Sequence, residues 1–153
     1  MATACAAGQP KRSPTETVST FIEVMDRSAA DQNALREAFE LLDREARQGL
    51  EARAHRATTL ASRPFEPHEM LAQGRFRLRF APRRVGGMRQ RIEGHHAVVE
   101  AVGTGDAERA EIPLVLEEGR WRIKLRLPPM HGGAQDIDSE PANAIETTEA
   151  TDR

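Results

Sequence analysis

Polarity alternates with a period of two from Arg120 to Leu127. Trp121, Ile123, Leu125 and Leu127 fall on one side, and Arg120, Arg122, Lys124 and Arg126 on the other. That is the pattern of a strand with one face buried and one face wet. Glu117-Glu118-Gly119-Arg120 reads as a turn, so Glu108–Glu117 and Arg120–Leu127 form an antiparallel pair. Strands are also expected over Arg75–Phe80, Met88–Glu93 and His96–Val102. The 81–87 stretch, with Pro82, Gly86 and Gly87, and the 103–106 stretch, with Gly103 and Gly105, are the turns between them.

The first half of the chain carries the helical period instead. Ser13-Pro14-Thr15-Glu16 is a helix start: Ser13 caps, Pro14 suits the first helical position and Glu16 completes a capping box. Val18, Phe21, Ile22 and Met25 then recur at i, i+3, i+4 and i+7, one apolar stripe ending near Arg27-Ser28. A second helix starts between Ser28 and Asp31 and buries Leu35, Ala38, Phe39, Leu42 and Ala46, with a stop or kink at Gly49. Leu50–Leu60 continues as a helical run of small residues. Arg63-Pro64-Phe65-Glu66-Pro67 breaks it, and His68–Leu71 makes one short helical turn. The expected fold is therefore α+β: two or three N-terminal helices packed on a curved antiparallel sheet of four to five strands.

At 153 residues the chain holds one domain with tails. Residues 13–128 carry the core pattern. Residues 1–12 read as a disordered tether, and 129–153 as a disordered acidic tail with few large apolar groups. The formal net charge is −2, yet seven arginines and no acid lie between Arg75 and Arg91. The single cysteine, Cys5, excludes an internal disulfide and a cysteine metal cluster. There is no apolar run long enough to span a membrane.

The opening Ser13–Val18 segment leading into Phe21, the Ala38-Phe39-Glu40-Leu41-Leu42 stretch and the closing Leu114–Ile123 stretch with its Gly119-Arg120-Trp121-Arg122-Ile123 end resemble the NTF2-like (cystatin-like α+β) superfamily. The likeness covers about residues 13–128. It implies a sheet curled around the helices into a cone with a pocket at its open end, and it resembles small bacterial envelope proteins of that fold. Enzymes of the superfamily place an Asp, His or Tyr inside the cone. This chain has no tyrosine, and Asp106 sits in a turn.

Three groups of residues carry candidate chemistry. His95 and His96, with Glu93 and Glu100, are the one cluster of acid–base types. Neighbouring residues of a strand point to opposite faces, so one of the two histidines can enter a cone. Their spacing, with or without His68, matches no metal-ligand signature, and no metal or cofactor is expected. Arg75, Arg77 and Arg79, together with Arg122, Lys124 and Arg126, form two cationic ladders suited to a phosphate, an anionic headgroup or an acidic partner. No aromatic residue accompanies them on that face, which disfavours single-stranded nucleic acid. Finally, Ala2-Thr3-Ala4-Cys5-Ala6-Ala7-Gly8 looks like the end of a lipobox, with Cys5 the lipidation site, although Ala2 stands where leucine is usual. Met1 would then be a start placed inside a longer signal peptide.

The leading expectation is a non-enzymatic bacterial envelope module, lipid-anchored through Cys5, with a pocket or cationic sheet face for an unidentified protein or small molecule. Without the lipid the address would be cytoplasmic. The alternatives are a small-molecule isomerase or dehydratase using His95 or His96, and an anion- or nucleic-acid-binding protein. Oligomeric state is left open, and the acidic tail is a candidate cover for the arginine surface.

Overall fold

The computed structural model describes residues 12–73, 76 and 78–130. Cys5, Arg75, Arg77 and the acidic tail from 131 onward lie outside the described residues, and with them the lipidation site, two rungs of the first cationic ladder and the tail that was to cover it. The element order is α1 (Pro14–Arg27), α2 (Gln32–Glu40), α3 (Arg44–Leu60), α4 (Glu69–Gln73), β1 (Met88–Glu93), β2 (His96–Val102), β3 (Arg109–Glu117) and β4 (Arg120–Ile123). The strands form one antiparallel meander in the order β1-β2-β3-β4. The fold is α+β, as the periodicities predict.

The helix starts follow from local chemistry. The Ser13 hydroxyl accepts from the Glu16 N–H at 3.2 Å, and the Glu16 carboxylate accepts from the Ser13 N–H at 2.7 Å. These bonds hold the Glu16 carboxyl below its ordinary pKa. At α4 the Glu69 carboxylate accepts from the Glu66 N–H at 2.7 Å and meets Arg63, with the same effect. Asp31 and Asp43 cap α2 and α3.

Two tight hairpins set the register of the sheet. Gly94, at φ 60, is the first central residue between Glu93 and His96, the place where a two-residue turn requires positive φ. Glu118 and Gly119, at φ 51 and 70, make the type I′ turn between β3 and β4. Across the sheet Ala97 faces Leu114, Val99 faces Ile112 and Leu114 faces Ile123. Their side of the sheet closes on the α1 stripe of Val18, Phe21, Val24 and Met25. Leu42, Leu50, Leu71, Leu114 and Val18 are among the side chains shielded most completely. Each such burial contributes roughly 1.5–3 kcal/mol. Trp121 lies in this core, as its alternation with Ile123 predicts.

Four expectations are corrected. The long second helix is two helices, α2 and α3, broken at Leu41-Leu42-Asp43. There the chain runs parallel to β4: the Ile123 N–H donates to the Leu41 carbonyl at 2.8 Å, and the Asp43 N–H donates to the Ile123 carbonyl at 2.9 Å. The apolar period continues through the break, so periodicity alone could not reveal it. Gly49 does not stop a helix; it lies inside α3, where a Cβ would come within 2.6 Å of the Leu127 side chain. The chain after β4 thus passes close along α3, and Arg53 donates to the Pro128 carbonyl.

The strand expected over Arg75–Phe80 is absent from its described residues, Phe76 and Leu78–Phe80, because β1 keeps β2 as its one partner there. The last strand also ends at Ile123 rather than Leu127. Beyond it Lys124 still donates its N–H to the Pro113 carbonyl at 2.9 Å.

Asp43 is 4% exposed, and its carboxylate accepts from the Ala46 N–H at 3.0 Å. Burial raises its pKa, and the nearby Glu117 carboxylate adds to the effect, against the Ala46 bond and Lys124. A carboxyl whose pKa is raised by folding stabilises most when protonated, and that contribution is lost as pH rises through the folded-state pKa. Asp43→Asn keeps the capping oxygen without the buried charge, so at neutral pH it should be at least as stable as the parent. Asp43→Ala should lose about 1 kcal/mol. Urea denaturation of all three at neutral and mildly acid pH checks this; equal losses for Asn and Ala would show that the charge itself is needed.

Candidate functional site

Val18, Phe21, Ile22 and Met25 of α1, together with Ile123 of β4, line a cavity of about 930 Å³. Ile112 of β3, Leu125 after β4 and the described part of the 76–82 segment complete its lining. That segment is held at its far end by residues of β2 and the following turn. The Arg83 N–H donates to the Val102 carbonyl at 2.9 Å, the Arg83 Nε to the Gly103 carbonyl at 2.6 Å, and the Val102 N–H to the Gly87 carbonyl at 2.7 Å. Gly103 is needed at this seam because a Cβ would meet Phe80 at 2.8 Å and the Glu108 side chain closer still.

The cavity has an apolar interior and a charged margin. Val18, Phe21, Met25 and Ile123 are buried, and Phe76, Leu78, Phe80, Ile112 and Leu125 are half-buried. Five charged residues also line it: Arg79, Lys124 and Arg126 against Asp26 and Glu111. All are exposed except Lys124, which is half-buried, so charge gathers at the solvent side. Such a site takes a molecule with an apolar body and a polar, preferably anionic, end.

The residues singled out from the sequence are dispersed. His95 and His96 are exposed at the β1–β2 hairpin and do not line the cavity. Glu93 pairs with Arg91 at 3.3 Å, and Glu100 with Arg109 at 3.3 Å. Among the described residues no group of three His, Cys, Asp or Glu is placed to hold a metal ion, and no helix is long and apolar enough to cross a membrane.

The second cationic ladder is not a uniform solvated face. Arg122 is only 8% exposed, with Arg47 beside it, and it donates to the Glu40 carbonyl at the end of α2. The turn that carries α2 into α3 crosses the β4 edge here, which alternation within one strand cannot foresee. Lys124 and Arg126 join Arg79 at the cavity instead.

Asp26 was not among the candidates drawn from the sequence. The available signal was its position four residues after Ile22, on the edge of the apolar stripe. Glu111 was not singled out either.

The chain matches no protein-family model, no curated protein and no solved structure. The site therefore stands on its own geometry.

A fluorescent amphipathic anion such as 1-anilinonaphthalene-8-sulfonate should brighten on binding this cavity in the folded protein. Ile22→Trp, which fills it from α1, should keep the circular dichroism of the parent and lose most of that emission. Undiminished emission from the filled variant would place dye binding elsewhere.

Proposed function

We propose that this chain is a non-enzymatic binding module of NTF2-like architecture, and that the cavity beside α1 holds a small amphipathic anion. One observation carries the reading: an apolar chamber of about 930 Å³ is lined at its solvent side by three cations and two carboxylates. That volume lies within the roughly 300–1,000 Å³ of ordinary small-molecule pockets. The architecture is supported by the order of elements, helices first and then an antiparallel meander, with the chamber between the first helix and the sheet. The exposed positions of His95 and His96 favour binding over catalysis.

A medium-chain carboxylate such as dodecanoate is the direct probe, followed by calorimetry. Lys124→Gln and Arg126→Gln should each weaken binding about two- to tenfold, the scale of one partly screened charge. Glu111→Gln should tighten it by a similar factor, because it removes a like charge. Binding that ignores all three changes, or no binding at all, refutes the assignment.

A second reading keeps a specific observation behind it. Asp26 and Glu111 bring two carboxylates to one chamber from α1 and β3. An isomerase- or dehydratase-type reaction would use one of them as acid or base, with His95 and His96 taking no part.

The proposed address is the bacterial envelope, supported by the small residues Ala2–Ala4 before Cys5 and the polar stretch to Ser13. Intact mass and detergent partitioning of the native protein should give an acylated Cys5 in the detergent phase. An unmodified Cys5 in the aqueous phase overturns the anchor and leaves the cavity reading untouched.

A further inference from the structure

On the other side of α1, where it meets β4 and the end of α2, lies a second cavity of about 510 Å³. Arg12, Arg120 and Arg122 line it, together with the acids Glu37 and Glu40 and Trp121. Arg122 decides its character. It is 8% exposed, and its Nε is buried with no hydrogen-bond partner among the described residues. Its other known bond goes to a neutral acceptor, the Glu40 carbonyl. A guanidinium has five donors in a fixed fork, and a buried one held mainly by a carbonyl is under-compensated.

The charges around it do not redress the balance. Glu37 is already held by Arg27 at 2.7 Å, which leaves the Glu40 carboxylate alone against three arginines in this cavity. Arg47 and Arg120 add like-charge repulsion at Arg122, and burial with that repulsion lowers its pKa. The Arg47 Nε is likewise buried without a partner among the described residues. Glu117, the other acid felt by Arg122, has its carboxylate turned to the Arg44 N–H at 3.2 Å and to Arg47 at 3.9 Å.

We propose that the cavity between α1, α2 and β4 is a binding site for a small phosphate, free or as the end of a compact phosphomonoester, seated on the buried guanidinium of Arg122 between Arg12 and Arg120. Planar guanidinium groups match phosphate oxygens in pairs, and a doubly charged oxyanion supplies the countercharge that Arg122 lacks. The site is independent of the larger cavity and of the ligand proposed there. Thr17 and Thr20, which also line it, donate their hydroxyls to the Ser13 and Glu16 carbonyls and so act here as walls.

The molecule supplies its own reporter. Trp121 is its one tryptophan, there is no tyrosine, and this residue lines the cavity. Inorganic phosphate and glycerol 3-phosphate are titrated separately at constant ionic strength, with sodium chloride as the compensating salt, while Trp121 emission and the thermal midpoint are followed. Saturable change in both signals is expected, and the tighter of the two ligands identifies the source of the phosphate. Arg122→Met, which replaces a buried ion by an apolar side chain of similar length and should stay folded, should weaken binding about ten- to a hundredfold, the scale of a charge-assisted hydrogen bond. Arg120→Gln, at an exposed position, should weaken it about two- to tenfold, and Arg126→Gln in the larger cavity should leave it unchanged. Signals that do not respond to phosphate, that respond equally to chloride, or that persist in both Arg122→Met and Arg120→Gln overturn the proposal.

Discussion

Two backbone hydrogen bonds at Ile123, one to the Leu41 carbonyl and one from the Asp43 N–H, join the helical half of the chain to the sheet. They link residues far apart in sequence, so the loop that closes between them has an entropic cost, met by the contacts it makes possible. Leu42 is fully buried where this junction meets Ile123. Asp43 then starts α3, and the Glu117 carboxylate reaches the Arg44 N–H from across β3. The end of α2, the start of α3 and the final hairpin are thus fixed by one short stretch of parallel pairing. Arg122 is buried for the same reason.

The two cavities divide along α1. Its Val18–Phe21–Ile22–Met25 stripe borders an apolar chamber with charge at the margin, and its Thr17–Thr20 edge borders a smaller chamber with a guanidinium inside. β4 divides in the same way: Ile123 belongs to the first chamber, and Trp121 and Arg122 to the second. A single helix and a single strand therefore present two solvents, one oily and one cationic, within a few residues of each other.

Most of the fold was legible because most of it is local. Strands β1 and β2 have the bounds expected from the sequence, and Ser13 and Glu16 form the capping box that their spacing requires. What failed was set by neighbours. Phe76, Leu78 and Phe80 alternate with arginines as a strand would, but alternation supplies a face and not a partner, and these apolar residues line a cavity instead. Leu42 to Ala46 keeps the helical period across a break that only Ile123 explains. A local clue existed, since Asp43 followed by Ala46 is a helix start inside an apparent helix. The site was readable as residue types rather than as a place. Arg79, Lys124 and Arg126 were singled out for their charge and do gather at the chamber, whereas Asp26 looked like an ordinary helix-end acid. His95 and His96 drew attention for their chemistry and lie on a hairpin tip, where nothing local could forecast their distance from the chamber.

The pairing of residues 41–43 with β4 has one more consequence, for association between copies. A sheet normally offers two free edges, and with both available copies can pair strand to strand without limit. Here the β4 edge is bridged by Leu41–Asp43 at Ile123, while β1 has a partner on one side only among the described residues. Copies meeting edge to edge would then do so through β1, where the arginines Arg89 and Arg91 set like charges against each other and oppose that step.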